Sequence, residues 1–267
     1  MNVFIQEFKA KRKSVFIWGL SISAFIIFYL AFFPSLGSDS EAFEIIMKSM
    51  PKEMLQAFGL KEGLSMATLM GYFVVTFVMV QLAIAIQSAN YGFAILSEEE
   101  RELTADFLLT KPVSRSTIYF SKLFSAVLSL LLTAIIVSMG ILVALRLFNG
   151  GETYNIKNVF KLLLTIPLFQ LCFLSIGMFI SLLVRKVRNV LSLSMGLAIG
   201  LYIINVAKEI VDKDFLGYLT PFNYFEPGNI LKTGTYDLKL FFVAIGVIIV
   251  SLIASFYLYN TRDIHSV

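Results

Sequence analysis

The feature that most constrains the fold of this chain is a set of six long apolar blocks without a single aspartate or glutamate. A helix needs about 20 apolar residues to cross the hydrocarbon of a bilayer. In lipid every backbone polar group must be paired internally, and none of the blocks alternates as a barrel strand would. We therefore predict an all-α, polytopic membrane protein, a single transmembrane domain over 1–267 with six transmembrane helices at about 15–33, 68–96, 123–148, 159–184, 190–206 and 240–259.

The charges between the blocks predict the topology. Only 15% of the residues are charged, whereas a soluble domain has about 25%. Six of the seven arginines lie in the segments 1–14, 97–122, 185–189 and 260–267, which would all face the same side of the membrane. Cytoplasmic loops are enriched in Lys and Arg. We expect a multi-pass protein of the cell membrane with both termini in the cytoplasm, and basic residues that serve topology rather than nucleic-acid binding.

The segment 1–14 is predicted to form an interfacial helix on the membrane surface. Val3, Phe4 and Phe8 are apolar, and Lys9 to Lys13 supply positive charge for anionic lipid headgroups. The alternative is an unstructured charged tail. The apolar run that follows is longer than that of a cleaved signal peptide, so we expect it to remain as the first span.

The loop between the second and third blocks has the signals of a short cytoplasmic helix within 97–114. Ser97 and Glu100 have the spacing of a capping box. Glu98 and Glu99 fall in the first turn, where the helix dipole favours acids. Pro112 ends the helix, and Ser114 can cap the helix that leads into the third span.

One face of this predicted helix is an apolar ridge. Leu103 pairs with Phe107 at i, i+4 spacing, and Thr104 pairs with Leu108 beside them. The ridge is too small to build a domain. It could pack on the inner ends of its own spans, or it could be offered to a soluble partner as a helix in a groove.

At this loop the sequence resembles a known family. The run Leu-Thr-Ala-Asp-Phe-Leu-Leu-Thr-Lys-Pro-Val-Ser-Arg at 103–115 resembles the loop after the second span in permease subunits of type-2 ABC transporters. Leu-Thr-Pro-Phe-Asn-Tyr-Phe at 219–225 and Tyr-Asn-Thr-Arg-Asp-Ile at 259–264 resemble its last outer loop and its closing motif. With the six-span layout, the resemblance covers essentially the whole chain.

The resemblance implies that 98–109 is a coupling helix that docks on a separate ATP-binding subunit. ATP and Mg²⁺ would bind in that subunit, and two permease copies, identical or related, would pair around a pathway in the lipid bilayer. One departure is Ala105, where relatives often have a larger aliphatic residue. Together with Leu103 of the ridge, the matching positions give the predicted partner-binding residues Glu98, Glu99, Glu100, Leu103, Thr104, Phe107, Leu108, Pro112 and Arg115.

The sequence has no catalytic or metal-binding pattern. It contains no Gly-Lys dipeptide and therefore no phosphate-binding P-loop. Its one histidine, His265, and its one cysteine, Cys172, cannot form a multi-histidine metal site or a disulfide within the chain. We expect no enzymatic activity and no cofactor in this chain, so ATP hydrolysis would take place in another subunit.

Five amide side chains lie inside the predicted spans. Two interpretations are open: interhelical hydrogen-bonding groups, or the lining of a substrate pathway. Proton- or sodium-coupled carriers normally place acidic residues or histidine in the membrane, which the blocks lack. The five residues are Gln81, Gln87, Asn90, Gln170 and Asn205.

These features favour the permease subunit of an ATP-driven transporter that exports a peptide, a lipid or another amphiphile. The alternative is a non-transporting membrane anchor or sensor that recruits a cytoplasmic partner through the same helix. An ion-independent carrier or an intramembrane enzyme is a third hypothesis, but no reactive residue supports it.

Overall fold

The computed structural model describes most of the chain as a bundle of helices. The described residues are 3–36, 49–51, 55–56, 58–60, 64–101, 113–184, 187–211 and 213–261. Within them, all regular structure is helical, which confirms the all-α prediction. The helices are α1 (Val3–Ala31), α2 (Phe33–Leu36), α3 (Leu69–Arg101), α4 (Arg115–Leu147), α5 (Ile156–Leu183), α6 (Val190–Val211), α7 (Asp214–Gly217), α8 (Pro221–Tyr224), α9 (Pro227–Thr233) and α10 (Leu238–Thr261).

Six of the described helices are long and apolar enough to cross a membrane, as predicted. They are α1, α3, α4, α5, α6 and α10. Each of them extends beyond its predicted span at one end or at both; α6, for example, continues to Val211, and α4 begins at Arg115. The Ser114 cap of α4 is confirmed, since its Oγ accepts a hydrogen bond from Thr117 N at 3.2 Å.

The first span and the segment before it form one helix. From Val3, α1 continues to Ala31 without a break, so residues 3–14 are not a separate element. The sequence contains no Gly or Pro between Val3 and Val15, and extending an existing helix is easier than starting a new one.

The capping box predicted at Ser97 is wrong. Ser97 lies inside α3, which continues to Arg101, and its Oγ donates to Phe93 O at 2.6 Å. A serine hydroxyl in a helix is satisfied by the carbonyl four residues earlier, so the second span runs past Ser97 without a stop. The rest of the predicted coupling helix, 102–112, lies outside the described residues.

Two helices form the centre of the bundle. Among the 18 most apolar consecutive residues of each helix, 72% are buried inside the chain in α3 and 61% in α5, compared with 17% in both α6 and α10. The two central helices meet at Gly92 and Gly177. A Cβ at Gly92 would collide with the Leu174 carbonyl oxygen and lie 3.0 Å from Gly177 Cα, so glycine is required for this close approach.

Three short helices connect α6 to α10. Pro221 and Pro227 begin α8 and α9 in the first turn, where proline fits because its missing N–H is not needed. Gly234 ends α9 with φ of +66°. The connection folds back onto the bundle, because the side chains of Phe222 and Phe225 are buried and Phe222 packs edge-to-face on the ring of Phe169 in α5.

Candidate functional site

In the chain, α3 ends at Arg101 and α4 begins at Arg115, on either side of the segment 102–112. Where these helices end, a second hydrophobic cluster lies apart from the main core. We call this cluster and the polar contacts around it the junction. Its buried members include Tyr91, Ile95, Leu96, Ile118, Tyr119, Leu123, Leu182 and Tyr259, so α3, α4, α5 and α10 all contribute.

A buried lysine ties three helices together at the junction. The side chain of Lys122 in α4 is 1% exposed. Its Nζ donates to Ile95 O of α3 at 2.8 Å and lies 3.5 Å from Glu7 Oε1 of α1. Glu7 Oε2 in turn accepts from Lys11 Nζ at 2.6 Å. A buried charge is costly unless it is paired and hydrogen-bonded, so these partners fix the relative positions of α1, α3 and α4.

Sequence reasoning missed this ion pair. The charge pattern assigns the basic residues of 97–122 to topology only, and it does not identify Glu7 as a partner of Lys122. One signal was available: Glu7 is the only acid in the segment 1–14. A single carboxylate among four basic residues indicates a specific partner, but the sequence does not say which.

Two tyrosine hydroxyl groups link the junction to α1 and α10. Tyr91 OH donates to Ser14 Oγ of α1 at 3.0 Å. Tyr119 OH donates to Leu252 O of α10 at 3.1 Å and lies 2.7 Å from Ser255 Oγ. Each span that borders the segment 102–112 is therefore bonded to a further helix: α3 to α1, and α4 to α10.

The predicted partner-binding residues are only partly described. Arg115 begins α4, and its Nη1 donates to Asn260 O at the end of α10 at 3.4 Å. Glu98 is half-buried in the last turn of α3, and Glu99 and Glu100 belong to the same turn. The remaining predicted residues lie outside the described part of the chain: Leu103, Thr104, Phe107, Leu108 and Pro112.

Two of the five amides predicted from the sequence donate hydrogen bonds across the bundle. Gln81 is 3% exposed and its Nε2 donates to Phe225 O at 3.0 Å. Gln87 is 0% exposed and its Nε2 donates to Thr133 Oγ1 of α4 at 3.0 Å. Each bond joins α3 to a segment distant in the chain. These two side chains therefore agree with the first interpretation, in which the amides form hydrogen bonds within the bundle.

Other amide atoms have no hydrogen-bond partner among the described residues. Gln170 in α5 is 0% exposed, and neither its Nε2 nor its Oε1 is bonded. The same holds for Gln87 Oε1 and Asn205 Oδ1, whereas Asn90 is half-buried. A buried polar atom without a partner costs about 1–3 kcal/mol, so these positions favour contact with water or with another molecule.

The described residues do not form a metal centre. Across them, no group of three or more His, Cys, Asp or Glu side chains is close enough to hold a metal ion. Cys172 is buried in α5, and its Sγ lies 4.0 Å from Ala244 O.

Comparison with known proteins gives one match that covers the length of the chain. Residues 1–264 match a protein-family model described as "ABC-2 family transporter protein". Among individually curated proteins, none is significantly similar to this sequence.

Proposed function

Because the chain belongs to the ABC-2 family of transporter proteins, we propose that it is the permease subunit of an ATP-driven exporter. The family implies an ATP-binding partner subunit, and in our proposal that partner binds ATP and Mg²⁺ and hydrolyses the nucleotide. The chain is a multi-pass membrane protein. We place it in the cell membrane with its termini in the cytoplasm, on the basis of the six arginines in the segments that share one side.

The observation that carries the proposal is the position of Lys122. It is bonded to α1 and α3 at the point where α3 and α4 lead into the segment 102–112. In the proposed mechanism the partner moves the coupling segment 98–109. The Lys122 contacts and the Tyr119 bonds to α10 then transmit this movement to four of the spans. Coupling through connected rigid elements needs such contacts.

We further propose that two permease copies pair through α6. Only 17% of its apolar window is buried in the chain. Gly196 and Gly200 have the G-x-x-x-G spacing that lets transmembrane helices approach closely, and a Cβ at either position would meet open space. The exposed apolar surface of the other spans is then left for lipid.

The proposed cargo is a peptide, a lipid or another amphiphile. Gln81, Gln87, Asn90, Gln170 and Asn205 are proposed to contact it or the water that accompanies it. The amide atoms without partners in Gln87, Gln170 and Asn205 support this role, because a translocated molecule or water would supply the missing hydrogen bonds.

The test uses proteoliposomes that contain this chain and the ATPase with which it co-purifies. Phe107→Asp places a charge on the proposed docking ridge, so we expect both ATPase binding and ATP-dependent transport to be lost. Phe107→Leu keeps the ridge apolar and should retain both. Normal transport by an inserted Phe107→Asp protein would overturn the coupling role. If candidate cargoes never stimulate the bound ATPase, the anchor or sensor function is the correct one.

A further inference from the structure

A second polar site lies at the end of the bundle opposite the junction. There the last turn of α6, the short helices α7 to α9 and the start of α10 enclose an open cavity of about 280 Å³. Its charged lining consists of Lys208, Asp214, Glu226, Asp237 and Lys239. Neither the sequence motifs nor the proposed transport mechanism accounts for this site.

Two of the charged groups are held in place by the fold. Lys208 Nζ donates to Asn223 Oδ1 at 3.1 Å and lies 2.9 Å from Glu209 Oε1. The Oδ1 atom of Asp237 accepts hydrogen bonds from Lys239 N and Leu240 N at 2.9 and 3.3 Å. The carboxylate is therefore fixed as the cap of α10, and the cavity has a preformed acidic wall.

The charges in the cavity suit a small zwitterion. Carboxylates from Asp214 and Asp237 can accept hydrogen bonds from an ammonium group, and the ammonium groups of Lys208 and Lys239 can bind a phosphate. Drug-sized ligands occupy pockets of about 300–1,000 Å³. A cavity of about 280 Å³, just below this range, has room for one polar group rather than for a peptide or a whole amphiphile.

Apolar neighbours indicate where such a group would come from. Phe215 follows Asp214 in the chain and is 69% exposed, and Leu238 follows Asp237 and is 66% exposed. Asp214 lies three residues after the end of α6, and Asp237 directly precedes α10, so both lie near the ends of membrane-length helices. Aromatic and apolar side chains at that level contact the lipid interface, where headgroups are abundant.

We propose that this cavity binds a phosphoethanolamine group, in which a primary ammonium contacts Asp214 and Asp237 and the phosphate contacts Lys208 and Lys239. A primary ammonium can donate hydrogen bonds to carboxylates, whereas the quaternary ammonium of choline cannot. The group is available both as the headgroup of phosphatidylethanolamine and as a free water-soluble ester. This site goes beyond the transport function, and its binding can be measured without transport.

The test measures lipid retention by the full-length chain in detergent, using native mass spectrometry. Equal amounts of phosphatidylethanolamine, phosphatidylcholine and phosphatidylglycerol are added. We expect phosphatidylethanolamine to be retained about tenfold better than the others, since one charge-assisted hydrogen bond is worth about that factor in affinity. Asp214→Asn with Asp237→Asn should abolish the preference. Asparagine still caps α10, so the helix remains capped while the charge is lost.

Two lysine variants provide the matched comparison. Lys208→Met removes a cationic lining group and should weaken retention, whereas Lys213→Met changes an exposed lysine outside the cavity and should leave it unchanged. Displacement of the lipid by glycerophosphoethanolamine would support recognition of the free group, and resistance to displacement would support the lipid as its source. Equal retention of all three lipids, or a preference that survives the double aspartate substitution, would overturn the site.

Discussion

The ammonium group of Lys122 lies 3.5 Å from the carboxylate of Glu7, at the end of the bundle where α3 ends and α4 begins. Lys122 is almost completely enclosed, while the side chain of Glu7 is 17% exposed and also binds Lys11. The two residues are far apart in the sequence, so their contact depends on the packing of α1 against α4. This packing makes the start of the chain part of the proposed coupling apparatus.

Glu7→Gln should destabilise the protein more than Lys11→Met. The first variant leaves the buried Lys122 ammonium without a carboxylate, and breaking a buried pair costs about 3–5 kcal/mol. The second removes one of the two lysines that contact Glu7 and leaves the Lys122–Glu7 pair in place, so we expect a smaller loss of stability. Thermal unfolding in detergent measures both. Equal midpoints for the two variants would contradict the central role of the Lys122–Glu7 pair.

Gly92→Ala should weaken the contact between α3 and α5. The added methyl group collides with the Leu174 carbonyl oxygen, and overpacking of this kind typically costs about 1–3 kcal/mol. Gly246→Ala is the matched control, because a Cβ at Gly246 in α10 meets nothing within 4 Å. The temperature at which each variant loses its monodisperse size-exclusion peak gives the comparison. A Gly92→Ala protein as stable as Gly246→Ala would show that the two helices can separate without loss.

Tyr119→Phe should reduce transport while ATPase binding is retained. The variant loses the hydroxyl bonds to Leu252 O and Ser255 Oγ, each worth about 0.5–1.5 kcal/mol, but keeps the ring in the junction. The contact from α4 to α10 is thereby weakened without any change in the docking segment. Tyr257→Phe, at a tyrosine that is 67% exposed on α10, should behave as wild type. Transport per ATP hydrolysed is the quantity to measure.

The sequence predicts those features of the fold that depend on interactions between residues close together in the chain. The bilayer requires long apolar helices, so the six spans follow from composition, and the Ser114 cap follows from the residues around it. The capping box at Ser97 failed because the α3 helix was already formed and continued through it. A capping signal indicates where a helix can begin, but it does not show that the preceding helix has ended.

The contacts that bring the candidate site together could not be predicted. Lys122, Ile95 and Glu7 meet because three helices pack side by side, and no local pattern specifies this packing. The cavity lined by Lys208 and Asp237 likewise depends on how the connection before α10 folds back. Pro221 and Pro227 begin short helices in this connection, but no local pattern places these helices against the bundle.

Gly200→Ile should prevent the proposed pairing of two permease copies. Gly200 lies on the outward face of α6 with open space around it, so isoleucine fits in the single chain and its stability should be unchanged. In a pair that depends on G-x-x-x-G contact, the larger side chain would separate the helix backbones. Gly246→Ile introduces the same side chain on α10, at a half-buried glycine where a Cβ meets nothing within 4 Å, and should leave the pair intact. Photobleaching steps of single labelled particles in nanodiscs count the copies: we expect two for the wild type and for Gly246→Ile, and one for Gly200→Ile. Two steps for Gly200→Ile would assign the pairing to another face.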